Sequence, residues 1–379
     1  MKNYLKTEVQ DYINKNIDVD IVDLLLRKSP FDDISIQEIA QQVKGKQICR
    51  KKFPFLDREN IIFPPHLNLE QSSSESAARY KSRLVKGKTF LDLTSGFGID
   101  AYFLSQNFEE TTLVERNSKL LDIVKHNWAV LGRDAHFANS ELETFLSEND
   151  KNFDVIFIDP ARRSADDKKV FLLEDLSPNI LEIQKQQARI SDKTLIKLSP
   201  LIDISYLISV IEHISEIHIV AIKNDVKEVL VLINKGTKYP KICCVNLETD
   251  EAPFEFEYGD SAVCVSYSQP QAYLYIPNNA ILKSGAFLEV AKQFSLSKLH
   301  PNTHLYTSGE KFENFPGRIL KVTKINPKTL ERGDKYNIIS KNHPLKPDAI
   351  KKKYKISDGG ERYLVFTQSV AGMEVLLSE

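Results

Sequence analysis

The sequence predicts an α/β protein built on a doubly wound, seven-stranded sheet, and three observations carry that expectation. From Gln71 to about Lys238, short apolar strands alternate with amphipathic helices, the pattern of a parallel sheet crossed by helices on both faces. A glycine-bearing loop, "LDLTSGFGIDA", follows the first strand. The series closes on "EIHIVAI" and "KEVLVLINKG", joined by "KND", a hairpin that adds one antiparallel strand.

In chain order, residues 1–70 read as an N-terminal helical region. "VDIVDLLLRKS" and "ISIQEIAQQVKGK" space their apolar residues for helix. "IIFPPHLNLE" is an extended connector, because Pro64 and Pro65 exclude helix. In the α/β region (71–238), Ser72 to Glu75 and Ser140 to Glu143 are candidate capping boxes. "KTFLDL", "TTLVER", "DAHFAN", "FDVIFID" and "KTLIKLSP" are the successive strands. "IDAYFLSQN", "SKLLDIVKHNWAVLG", "LLEDLSPNILEIQKQQARI" and "LIDISYLISVIEHI" are helices between or after them. The tail reads as two small α+β modules, 239–318 and 319–379, with "NNAILKSGAFLEVAKQF" and "KPDAIKKKYKI" as its helices.

Composition narrows the function classes. The 379 residues carry a formal charge of −1, which gives no global nucleic-acid or membrane signature. No apolar run approaches the roughly 20 residues that span a bilayer, and no signal peptide is evident. Cys49, Cys243, Cys244 and Cys264 form no CxxC pair, which favours reduced, buried thiols in a cytoplasmic protein. None of the eight histidines has metal-ligand spacing, so no metal is expected. Trp128 is expected in the core.

The glycine loop fits a nucleotide cofactor. Gly96-x-Gly98-x-x-Ala101 matches the dinucleotide fingerprint, which alone is weak. Asp92, near the end of the first strand, is more telling. A carboxylate there repels a pyrophosphate and suits the ammonium of the methionine part of S-adenosylmethionine. Glu115 ends the second strand, at the distance expected for a ribose-binding acid; both cofactors want it. Asn139 follows the third strand, where an amide can meet the adenine. Thr94 of the loop, Asp100, and Arg116 and Ser140 beside Glu115 and Asn139, complete the candidate cofactor set with Gln71 and Ser73 of the serine-rich segment, for which simple helix capping is the alternative. NAD(P) remains an alternative. So does a purely structural role, with Asp92 and Asp100 as helix caps and Glu115 as a surface charge.

The stretch "FDVIFIDPARRSADD" ends a strand built for burial in an acid, a proline and two arginines. In an open α/β sheet the ligand sits beyond the carboxyl ends of the strands, where their order reverses. Asp159, Pro160, Arg162 and Arg163 are therefore the candidate catalytic residues. Base-amino methyltransferases place Asp or Asn, Pro, Pro and an aromatic at this corner. Here the polar clamp is present and the aromatic is absent; an arginine plane can stack on a ring or pair with an anion. The structural alternative makes Asp159 a helix cap and has the arginines bridge to Glu174 or Asp175. Lys197, ending the fifth strand, is a further candidate for the cleft.

Together, "LNLEQSSSESAARYK", "LDLTSGFGID", "LVERN", "IDPARR", "LIKLSP" and the tail motifs "IPNNAILKSGAF", "HLYTS", "FPGR" and "DGGERYLVFT" resemble one bacterial family. Its members are class I methyltransferases with ferredoxin-like and THUMP-like modules at the C-terminus. The resemblance covers most of the chain from about Lys51. It implies a Rossmann-like catalytic domain and S-adenosylmethionine. Thr94 stands where the usual methyltransferase loop has its first glycine. THUMP domains bind RNA, so structured RNA is the expected partner. Between Lys311 and Lys355 thirteen Lys and Arg face four acids, a footprint suited to phosphates. The leading expectation is an RNA methyltransferase. The alternatives are a methyltransferase of a protein or anionic small molecule, and a non-catalytic RNA-binding protein that keeps the cofactor fold.

Overall fold

The computed structural model describes residues 2–162, 172–259 and 265–379. They form two units, Met1–Ser215 with Val229–Lys238, and Glu216–Glu228 with Tyr239–Glu379.

The first unit begins with helices α1 (Thr7–Lys15), α2 (Ile21–Leu25) and α3 (Ile36–Lys52). Their apolar faces meet through Val9, Ile13, Leu24, Ile39 and Val43. A full capping box, Ser35 with Glu38, starts α3. The connector is extended only over Ile61–Pro65, where side chains bind its backbone. Contrary to expectation, a helix starts at His66, directly after Pro65 at its N-cap, because a proline excludes helix before it but not after it. The Gln42 amide pairs with both backbone groups of Phe63, and the Asn127 amide with both of Ile62. These bonds satisfy polar groups that the prolines leave without helical partners.

Helices α4 (His66–Gln71) and α5 (Glu75–Ser82) lead into the sheet. Its strands are β1 (Thr89–Asp92), β2 (Glu110–Val114), β3 (His136–Ala138), β4 (Val155–Ile158) and β5 (Lys193–Leu198). The hairpin strands β6 (Ile214–Ile222) and β7 (Asp225–Asn234) follow. Lys223 and Asn224 form the hairpin turn, both at positive φ, as a two-residue turn matched to strand twist requires. Within the first unit the order is β7-β5-β4-β1-β2-β3. The pairings are parallel except β5 with β7, where Lys193 faces Asn234 and Leu198 faces Val229. This is the doubly wound order expected from the sequence, with β1 and β4 side by side at its reversal. Every residue of β4 is buried. Helices α6 (Ile99–Leu104), α7 (Ser118–Val130), α8 (Leu142–Glu148), α9 (Ile180–Ile190) and α10 (Ile204–Val210) complete the unit. Trp128 on α7 is 2% exposed.

Three local expectations are corrected. Ser74, not Ser72, caps α5, and Glu75 instead accepts the Phe55 amide and pairs with Arg79. Helix α8 begins one residue after Glu141 with no side-chain cap, because the Ser140 hydroxyl turns back to the Glu141 carbonyl. The long helix read from Leu172 onward is confined to α9. Pro178 precedes it, and Asn179 supplies the cap by accepting the Leu181 amide.

In the second unit, β8 (Lys241–Leu247) lies parallel to residues 216–222 of β6, with β9 (Phe254–Glu257) antiparallel on its other side. The rest is one seven-stranded sheet. Its strands are β10 (Tyr273–Pro277), β11 (Ser297–His300), β12 (Thr303–Ser308), β13 (Gly317–Lys324), β14 (Lys335–Ser340), β15 (Ser357–Ser369) and β16 (Gly372–Ser378). Their order is β11-β12-β10-β13-β16-β15-β14, over a core that includes Leu274, Leu305, Leu320 and Val365. The helix expected over "NNAILKSGAFLEVAKQF" is two, α11 (Asn279–Ser284) and α12 (Phe287–Gln293). Gly285 separates them at φ +76, the left-handed conformation that ends a helix. Helix α13 (Pro347–Tyr354) packs Ile350 against Tyr336 and Phe366.

Candidate active site

The glycine loop is stitched to the strands on both sides of β1. On the β4 side, the Leu93 amide donates to the Phe157 carbonyl (3.1 Å) and the Asp159 amide donates to Thr94 Oγ1 (2.7 Å). On the β2 side, the Ser95 amide donates to Val114 O (3.0 Å) and the Gly96 amide to Glu115 Oε2 (3.0 Å). Thr94 therefore has a function a glycine could not supply: its hydroxyl ties the loop to the Asp159 corner. Gly96 and Gly98 have φ of +51 and +76. At Gly98 a Cβ would sit 2.9 Å from Val124 Cγ1 and 3.1 Å from Trp128 Nε1, so α7 packs directly on the loop backbone.

The loop opens onto a cleft of about 660 Å³. Among the predicted cofactor residues, Gln71, Ser73, Asp92, Thr94, Gly96 and Gly98 line it. Asp100, Glu115, Arg116 and Ser140 do too, and so do Asp159 and Pro160. Asn139 does not; its amide instead donates to the carbonyls of Glu115 (2.8 Å) and Arg116 (3.0 Å), holding the β2 end in place. Glu115 Oε1 accepts the Asn117 amide at the start of α7 (2.8 Å). Arg163 lies outside the described residues, and Arg162 is described by its backbone alone, in a two-residue strand paired with Leu176–Ser177.

The capping alternatives do not match this geometry. Gly98 stands at the N-cap of α6 without a side-chain bond. Asp92 is 1% exposed, and its Oδ1 accepts the Thr94 amide (2.9 Å). Asp159 begins no helix. The Tyr206 hydroxyl donates to Glu174 (2.6 Å), and the alternative of arginine bridges to Glu174 or Asp175 falls on arginine side chains outside the described residues.

Two lysines organise the acids of the cleft. Lys197 Nζ lies 2.5 Å from Asp159 Oδ2 and 3.5 Å from Asp100 Oδ2. Lys81, fully buried on α5, lies 3.1 Å from Asp100 Oδ1, and the Ser73 hydroxyl binds Asp100 Oδ2 (2.8 Å). Burial works against ionisation of Asp100, but Lys81 and Lys197 outweigh it and hold its carboxyl below the usual range. Asp159, about a third exposed, is pushed upward by burial and by Asp100 against the pull of Lys197. Asp92 is pushed well upward by burial and by the charges of Asp100, Asp159 and Glu115, against the pull of the Thr94 amide. Sequence reasoning anticipated Lys197 and missed Lys81. The signal was there: Lys81 falls three and four residues after Ala78 and Ala77, on the buried stripe of α5.

This charge distribution tests the cofactor. Among the described residues, Asp92, Asp100, Glu115, Glu141, Glu143 and Asp159 line the cleft, with Arg116 as the basic residue. A pyrophosphate would meet carboxylates, whereas the ammonium and sulfonium of S-adenosylmethionine would meet the charge they lack. Ser95 Oγ, in the same loop, is buried and has no hydrogen-bond partner among the described residues. Among the described residues no His, Cys, Asp and Glu side chains gather as metal ligands, and no helix is long and apolar enough to cross a membrane. Cys49, Cys243 and Cys244 are buried free thiols; Cys264 lies outside the described residues.

Comparison with known proteins agrees. Residues 75–190 match the family profile of conserved hypothetical protein 95, 273–316 a ferredoxin-like domain, and 318–378 a THUMP domain-like family. A crystal structure from Porphyromonas gingivalis W83, described as a "putative methyltransferase", is 29% identical with a TM-score of 0.87, covering 99% of this chain and 97% of that one. An rRNA methylase from Streptococcus thermophilus (12% identity, TM-score 0.32) covers 42% of this chain and 93% of its own. TrmK of M. capricolum with S-adenosyl-homocysteine (18%, 0.31) covers 43% and 69%. No curated protein sequence matches. The resemblance read from the motifs is borne out: a class I methyltransferase fold followed by ferredoxin-like and THUMP-like segments. The enzyme class stands with it, and S-adenosylmethionine is the cofactor of that class.

Proposed function

We propose that this S-adenosylmethionine-dependent methyltransferase acts on RNA, methylating a nitrogen of an unstacked tRNA or rRNA nucleotide. The observation that carries the reading is the placement of Asp159. It ends β4 inside the cleft that Asp92 and Glu115 share, with Oδ2 taken by Lys197. Oδ1 is then the oxygen left to accept an N–H from an entering amine. The cofactor, when bound, supplies an electrophilic methyl on a sulfonium. The chain supplies alignment: Asp159 and the backbone at Pro160 fix the nitrogen lone pair, and positioning is most of what methyl transfer requires. Asp92 holds the cationic end of the cofactor and Glu115 the ribose, with Asn139 keeping Glu115 in register.

RNA is supported by the THUMP-like match at 318–378 and by the basic surplus between Lys311 and Lys355. A nucleotide must leave its stack to reach such a cleft. Arg162 and Arg163 remain proposed substrate-holding residues, and a cytoplasmic location fits the reduced thiols. The test is labelled S-adenosylmethionine with total RNA from a strain lacking the gene. RNA should take up label, and Asp159→Ala should lower turnover sharply while leaving S-adenosylhomocysteine affinity within a few-fold. Label entering only the protein fraction contradicts the proposal.

A further inference from the structure

We propose that Lys81 is a positioning residue for methyl transfer: its buried ammonium balances Asp100 and so leaves Lys197 to hold Asp159. The inference rests on the reading of Asp159 as the acceptor-aligning group. It concerns a residue that touches neither cofactor nor substrate.

The geometry is a chain of alternating charge, Lys81, Asp100, Lys197 and Asp159, with links of 3.1, 3.5 and 2.5 Å. Among the described residues, two carboxylates face two ammoniums in this chain. A lysine with no exposed surface is costly unless its charge is needed. The Ser73 hydroxyl fixes the inner end by bonding both Asp100 Oδ2 (2.8 Å) and Lys81 Nζ (3.1 Å). Asp100 takes Lys81 on Oδ1 and meets Lys197 only at 3.5 Å on Oδ2, so Lys197 sits closer to Asp159.

Without Lys81, two carboxylates compete for one ammonium. Like-charged acids sharing a site cannot both ionise readily, and the pair then keeps one proton to higher pH. Lys197 moves toward the deeper acid, Asp100, and Asp159 loses its orienting partner. Among the described residues, the charges that act on Asp159 besides Asp100 and Lys197 are Lys81 itself, which favours its ionisation, and Asp92 from β1, which repels it. Losing Lys81 while keeping Asp92 works in the same direction. Lys81→Gln therefore disarms Asp159 from a distance, by charge, whereas Lys81→Arg keeps the charge.

The experiment uses the full chain in three measurements. First, carbon-13 carboxyl titration of the aspartates, with Asp92→Asn, Asp100→Asn and Asp159→Asn for assignment, follows the Asp100–Asp159 pair. The intact protein should show both ionised at neutral pH, and Lys81→Gln should raise one midpoint by about 1–3 pH units, the effect of one opposite charge at this distance. Second, the pH profile of label transfer into total RNA should move its acid limb upward in Lys81→Gln and return in Lys81→Arg. Third, S-adenosylhomocysteine affinity above pH 8 should change less than about threefold, because the cofactor meets Asp92 and Glu115. A proton retained by the pair in the intact protein at neutral pH overturns the proposal even if Lys81→Gln does not fold. An unmoved midpoint in a folded Lys81→Gln overturns it too. The carboxyl titration needs no substrate, so if label goes to protein and not RNA, the RNA reading fails while Lys81 is still decided.

Discussion

At Asp92 the protein arranges a carboxylate to want a cation. It is buried, its neighbours Asp100, Asp159 and Glu115 are acidic, and its carboxyl is pushed well above its usual range. The sign follows from linkage. Stability from a raised carboxyl is present below the unfolded value and is lost as pH rises through the folded one, where ionisation is penalised. A ligand ammonium beside Asp92 favours the ionised form and reverses that penalty. S-adenosylhomocysteine should therefore bind more tightly as pH rises through the Asp92 range, with proton release. Calorimetry in two buffers of different ionisation heat reads that release, and Asp92→Asn should abolish it. Glu115→Ala should weaken binding by about 1–3 kcal/mol, the scale of hydrogen bonds to a charged acceptor. Gly98 gives a stability prediction. Alanine there meets Val124 and Trp128 at 2.9 and 3.1 Å, whereas at Gly96 the nearest atom is Thr94 O at 3.9 Å. Backbone strain of about 1–3 kcal/mol applies to both, but only Gly98→Ala must also push back side chains of α7, Val124 and Trp128. Chemical denaturation should rank Gly98→Ala as the more destabilising.

Among the elements, α13 shows what a charge count conceals. Lys351, Lys352 and Lys353 look equivalent in sequence, yet Lys351 is held by Asp348 and Asp358 while its two neighbours are exposed. Lys321 and Lys324 are likewise paired, with Glu379 and Glu374. Lys352 and Lys353 therefore offer more to phosphates. Neutralising both should lower the salt slope of RNA binding by about 2, one per phosphate contact, whereas Lys351→Gln should change it less. Filter binding between low and moderate salt distinguishes the two. The strands β1, β4 and β5 were legible because burial on both faces writes them as apolar runs. Helix starts were less so. Ser72 and Ser74 are both good caps, and the choice depends on Glu75 having a partner in Phe55, twenty residues away.

For the whole molecule, alternation of strands and helices carried the doubly wound order and thus placed Asp92, Glu115 and Asp159 around one cleft. What the sequence could not carry is who partners whom. The Thr94 hydroxyl on the Asp159 amide, Asn139 supporting the β2 end, and the link from Lys81 to Asp159 all join residues far apart in the chain. Those links decide which acids are ionised and hence what the cleft can bind. The most direct test of the central claim is nucleoside analysis of RNA from a strain lacking the gene, before and after treatment with the protein and S-adenosylmethionine. One N-methylated nucleoside should be missing beforehand, appear on treatment, and fail to appear with Asp159→Ala. An unchanged nucleoside profile, with methyl groups recovered on protein instead, would contradict it.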